Sequence, residues 1–124
     1  METILGVAVA GALGALARYG LGGWLAVRFG GGFPWETLVI NVSGSLILGF
    51  VFVALTERLA VSTALRTSLT IGFLGAYTTF STFSLETLRL VEVGAVWLAV
   101  LNVLASVAAG LVAVWLGMTL GRAL

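Results

Sequence analysis

Apolar residues run through this chain in four long blocks, separated by short polar or glycine-rich stretches. A helix needs about 20 consecutive apolar residues to cross a bilayer. On that measure the pattern predicts four transmembrane helices, at about residues 3–26, 36–56, 67–89 and 94–120. The first break holds Arg28 and the run Phe29-Gly30-Gly31-Gly32-Phe33-Pro34, and glycines followed by a proline stop a helix. The second, about residues 57–66, carries Glu57, Arg58, Ser62, Thr63 and Arg66. The third begins at Glu92. Trp24 and Trp35 flank the first break, and Trp97 and Trp115 lie near the ends of the last span, as interfacial aromatics do. The first block lacks a basic start and leads into further spans, so it reads as a span and not as a signal peptide. Four spans use about 80–100 residues. A single membrane domain over residues 1–124 is therefore expected.

Composition sharpens this reading. The chain is 60% hydrophobic and 9% charged, whereas roughly a quarter of a soluble domain is charged. The expected solvent is lipid. No Lys, Asp, His or Cys is present. That excludes disulfides and thiolate metal sites, and it removes the commonest acid–base group. A net charge of +1 gives no nucleic-acid footprint. An enzyme is not expected, because few groups remain to move protons.

Against this background the polar residues inside the spans stand out. Span one is built of glycine and alanine, and Gly11/Ala15 and Ala10/Gly14 form small-xxx-small pairs that let helices approach closely. Arg18 interrupts it, either snorkelling to the interface or serving inside the protein. Span two carries Asn41 and, four residues on, Ser45 on the same face. Asn102 and Ser106 share a face of span four in the same way. Span three is the most unusual. Between Gly72 and Glu86 it holds six hydroxyl side chains, Phe80 and Phe83 three apart, and a carboxylate. Such groups are costly in hydrocarbon unless protein or water satisfies them. Glycines beside Ser and Thr favour local unwinding, and the break is expected near residues 76–79.

Charge does not orient the molecule. With Arg18 counted as intramembrane, Arg58, Arg66 and Arg122 fall on one side and Arg28 and Arg89 on the other. So even a distribution gives almost no positive-inside bias. Either the orientation is fixed by something other than charge, or the chain inserts both ways; the second option would allow an antiparallel twofold dimer.

The run Gly75-Ala76-Tyr77-Thr78-Thr79-Phe80-Ser81-Thr82-Phe83-Ser84-Leu85-Glu86 closely resembles the signature of the CrcB/Fluc family of fluoride channels. Gly11 to Tyr19, Thr37 to Asn41 with Gly44 and Gly49, and Ser106 with Gly110 are similar to the family's other three helices. The resemblance implies a dual-topology antiparallel homodimer in the bacterial inner membrane, with two pores that export fluoride passively. It implies a structural sodium ion at the dimer interface, held by the backbone carbonyls of Gly75 and Thr78 from both chains. Phe80 and Phe83 would line the fluoride path with Asn41 and Ser106, while Arg18 and Glu86 match the family's arginine and glutamate. Three positions depart from the family pattern. Ala76 replaces a second glycine, Glu36 a small residue, and Asn102 a frequent tyrosine.

Physical chemistry adds the rest. Fluoride is tightly hydrated, so a pore must replace its water with donors. The hydroxyls of Ser81, Thr82 and Ser106 and the amide of Asn41 are candidates, and phenylalanine rings offer an electropositive edge. Two other functions compete. A small proton-coupled multidrug transporter needs a titrating carboxylate in its cavity, for which Glu86 is the sole candidate. A non-transporting assembly subunit would leave the hydroxyl and phenylalanine cluster without a purpose.

Overall fold

The computed structural model describes all of residues 1–124, and every regular element in it is helical. Three helices are long and apolar enough to cross a membrane: α1 (Glu2–Phe29), α2 (Trp35–Val53, prolonged by a π-helical turn over Ala54–Arg58) and α6 (Val96–Arg122). The remaining predicted span is not one continuous helix. α3 (Thr63–Thr67), a π-helical stretch (Ser68–Leu74) and α4 (Gly75–Tyr77) run on as its first half. Thr78 and Thr79 are extended, and α5 (Phe80–Glu92) forms the second half. At about 1.5 Å per residue, the 13 residues of α5 reach about 20 Å. That falls short of a hydrocarbon core about 30 Å thick, so the two halves make a span only end to end.

Several boundaries differ from the hydrophobic pattern, each for a local reason. The third span begins at Thr63 and not near 67, because the Ser62 hydroxyl accepts from Leu65 N at 3.2 Å and caps the helix. Arg66 is therefore helical. The second span reaches Arg58 through its π-helical turn. α5 continues past residue 89 to Glu92, and the chain then reverses at Gly94, whose φ of +84° favours glycine. There Gly94 N donates to Val91 O at 3.0 Å and Ala95 N to Leu90 O at 2.8 Å.

Two seams hold the helices together. A Cβ added at Gly49 would meet the Val114 carbonyl, and one at Gly117 the Leu46 carbonyl, so α2 and α6 touch backbone to backbone. The other seam joins α1 to the first half of the third span. Gly14 lies against the Phe73 carbonyl, and a Cβ at Gly72 would come 3.0 Å from the Ala10 Cβ. Of the small-residue pairs in span one, Ala10/Gly14 thus sits at the closest approach. Leu25, Ile40 and Tyr77 form the buried core where α1, α2 and α4 meet. Buried residues number only 18 of 124, so most apolar side chains face outward. Trp24, Trp35, Trp97 and Trp115 are all exposed.

Candidate functional site

The extended residues Thr78 and Thr79 interrupt the helical ladder, and side chains from two other helices take up the freed groups. Asn41 faces Thr79 with its whole carboxamide. Its Nδ2 donates to Thr79 O at 2.9 Å, and its Oδ1 accepts from Thr79 N at 2.7 Å. Arg18 reaches inward from α1 and donates from Nε to Ala76 O at 3.1 Å. The alternative in which Arg18 snorkels to the interface is set aside by this bond. Local hydroxyls finish each end. Thr78 Oγ1 donates to Leu74 O at 2.9 Å, and Thr79 Oγ1 accepts from Thr82 N at 3.2 Å to cap α5. No hydrogen bond within the chain reaches the carbonyls of Gly75 or Thr78. They remain free to meet a ligand or a partner.

A groove of about 290 Å³ opens beside the break. Asn41, Ser45, Thr78, Phe80, Phe83 and Ser106 are among its lining residues. The Phe80 and Phe83 ring centroids lie 5.7 Å apart with a 46° tilt, so the two rings form one aromatic pair on this wall. Phe80 is 78% exposed, which leaves this wall open to the outside of the chain.

A second cavity, about 740 Å³, lies on the other side of the break. It brings together Arg18, Glu36, Thr37, Thr79, Thr82 and Glu86. Glu86 Oε1 accepts from Thr37 Oγ1 at 2.9 Å, while Oε2 is buried without a partner. Arg18 forms no salt bridge, so its charge in this cavity is not cancelled by direct contact.

The structure thus separates residues that the sequence groups together. Asn41, Phe80, Phe83 and Ser106 share the groove, whereas Thr82 belongs to the second cavity with Arg18 and Glu86. Ser81 lines neither; its hydroxyl lies 3.4 Å from Thr79 Oγ1. Thr37 is the residue to which sequence reasoning gave no role. The signal was present, because Thr37, Asn41 and Ser45 recur every four residues and make one polar stripe along α2. Asn102 is 1% exposed and faces Thr87, not the groove.

The profile of the CrcB-like protein family, Camphor Resistance (CrcB), matches residues 5–118. A Geobacter sulfurreducens protein named fluoride-specific ion channel FluC is 50% identical over 124 residues, covering the full length of both chains. One of the same name from Geotalea uraniireducens is 49% identical, again over the full length of both. A Methylococcus capsulatus protein of that name is 52% identical over 126 residues, which cover 98% of this chain and 54% of the relative. The family consists of ion channels and not of enzymes, and with a profile match over nearly its whole length and relatives at half identity, the chain belongs to the CrcB/FluC family.

Proposed function

We propose that this protein is a fluoride-selective channel of the bacterial inner membrane that exports fluoride passively from the cytoplasm. The observation that carries the reading is the groove itself. Asn41, Phe80, Phe83 and Ser106 come from three different helices and line one open space beside a broken helix. Each offers an anion partial positive charge without a full one. Neutral donors and ring edges replace hydration yet let the ion leave, as conduction requires.

One chain alone leaves this machinery incomplete. Phe80 and the unpartnered carbonyls of Gly75 and Thr78 lie at the outside of the bundle or at its break. A carbonyl left bare in hydrocarbon costs several kcal/mol, so water, an ion or protein must cover it. A second copy in antiparallel orientation, giving two pores per dimer, would do so. The even arginine distribution is compatible with that arrangement. A sodium ion at the dimer centre suits this donor set. The chain has no cluster of His, Cys, Asp or Glu able to hold a metal, whereas free carbonyls at an unwound helix are good sodium ligands. Gly75 and Thr78 of both chains would hold it, and its charge would offset repulsion between anions in the two pores.

The test is efflux from liposomes under a fluoride gradient, followed with fluoride and chloride electrodes. Fast fluoride loss without chloride loss or added protons is the expected result. Equal chloride loss, proton flux driven by drugs, or silence would each overturn the reading. The dimer has its own test. Tags on one terminus should be reached from both sides of the membrane, and labelling from one side alone would exclude dual topology.

A further inference from the structure

Thr87 and Asn102 touch no part of the groove, yet they connect two of its walls. The Thr87 hydroxyl donates to Phe83 O at 2.7 Å. A carbonyl only accepts, so the Thr87 proton is committed and its oxygen accepts from Asn102 Nδ2 at 2.9 Å. This sets which way the Asn102 carboxamide faces. Its Oδ1 then takes the Ser106 hydroxyl at 3.4 Å. The donors therefore run one way, from Ser106 through Asn102 and Thr87 to the backbone of Phe83. No residue of α5 is buried, and this link is the one side-chain hydrogen bond between that helix and α6.

We infer that Asn102 and Thr87 are positioning residues for the anion path. They hold the Phe83 wall at a set distance from Ser106, and they turn the Ser106 proton away from the groove at rest. The inference rests on the channel reading above. At 3.4 Å the Ser106–Asn102 bond is at the long end of the range. An arriving anion takes over the Ser106 proton at small cost, and Asn102 Oδ1 accepts it again when the anion leaves. A donor with a fallback acceptor binds an anion without trapping it.

Fluoride efflux from liposomes and amide hydrogen exchange over residues 80–92 would be measured for wild type, Thr87→Val, Thr87→Ser, Asn102→Leu and the double variant Thr87→Val/Asn102→Leu. Thr87→Val is expected to slow efflux about tenfold, the scale of one buried hydrogen bond. It should also speed exchange in α5, while exchange in α2 and α6 and the assembly state by size exclusion stay as in wild type. Thr87→Ser keeps the hydroxyl and should restore both readouts. The double variant should be no slower than Asn102→Leu alone, because both changes cut the same chain. Wild-type efflux in Thr87→Val, or losses that multiply in the double variant, would overturn the proposal. If wild type itself passed no fluoride, the channel reading would fall and α5 exchange would decide the tether alone. Faster exchange in Thr87→Val would support it, and unchanged exchange would sink it.

Discussion

α6 lies against α2 through glycines, whereas α5 is fastened to those same two helices through hydroxyls and amides. At the α2–α6 seam, Gly49, Gly117 and Gly121 bring backbones together, and nothing ionisable intervenes until Glu57 and Arg122 at the end. α5 has no buried residue, and its attachments are Asn41 to Thr79, Thr37 to Glu86 and Asn102 to Thr87. Close packing depends on shape along a whole helix and does not reorganise easily. A hydrogen bond can exchange one partner for another at little net cost. The protein therefore divides the work. On the channel reading proposed above, the seam would supply a stiff frame, and α5 would set its two phenylalanines beside Asn41 and Ser106 of that frame.

The largest effect should come from breaking the frame. A Cβ at Gly117 falls on the Leu46 carbonyl, and the backbone has nowhere to withdraw. Overpacking in a core typically costs about 1–3 kcal/mol, and a bulky side chain between two backbones sits at or above that range. Gly117→Leu is expected to abolish the folded, monodisperse protein in detergent. A thermal unfolding transition like that of wild type would show that the seam is not as tight as its geometry indicates.

Next comes the clamp at the head of α5. Asn41→Leu removes the donor and the acceptor that pair with Thr79, leaving two backbone groups bare. Each bare group costs about 1–3 kcal/mol, and the loss falls at the break and not on the frame. Fluoride efflux should drop about 100-fold or more, with the protein still folded. Asn41→Asp keeps the acceptor for Thr79 N but sets an oxygen against Thr79 O, so it should fall between wild type and Asn41→Leu. If Asn41→Leu conducted normally, the break would be held by something other than this carboxamide.

The same contrast explains what could be read from the chain beforehand. Frame helices announce themselves, because an unbroken apolar block of about 20 residues has few other uses. The glycines and hydroxyls from Gly72 to Ser84 likewise marked the third helix for interruption. What stayed hidden depends on distant partners. Asn41 is 38 positions from Thr79, and Arg18 is 58 from Ala76, so no local pattern joins them. For the same reason a run of neighbouring hydroxyls looked like one donor set. A helix of 3.6 residues per turn splits that run, sending Phe80 and Phe83 to the groove and Thr82 to the cavity of Arg18 and Glu86. Ser62 and Thr79 were helix boundaries that local reasoning could have found, since Ser or Thr followed by a helical run is a cap signal.

Phe80→Ile should have a smaller effect than the clamp. The ring is mostly exposed in the single chain and supports no buried contact, so stability should hardly change. A ring that lines the groove is lost, which is expected to slow fluoride efflux about tenfold with assembly intact. Wild-type efflux would remove that ring from the path and leave Phe83 and the polar donors to account for it.

The smallest effect belongs to the ion pair at the end of the seam. Arg122 Nε stands 3.8 Å from Glu57 Oε2, and both side chains are about half exposed. Such pairs contribute between nothing and about 1 kcal/mol, and salt screens them. If glycine packing alone fastens α6 to α2, Arg122→Gln should shift the unfolding midpoint by no more than about 4 °C and leave efflux unchanged. The substitution also removes one of the three arginines on that side, making the two sides equal in arginine. Dual insertion should persist under that balance, read as tag labelling from both faces. A large loss of stability in Arg122→Gln would move part of the seam's strength from backbone contact to charge, and the division between frame and polar helix would no longer hold at that end of the molecule.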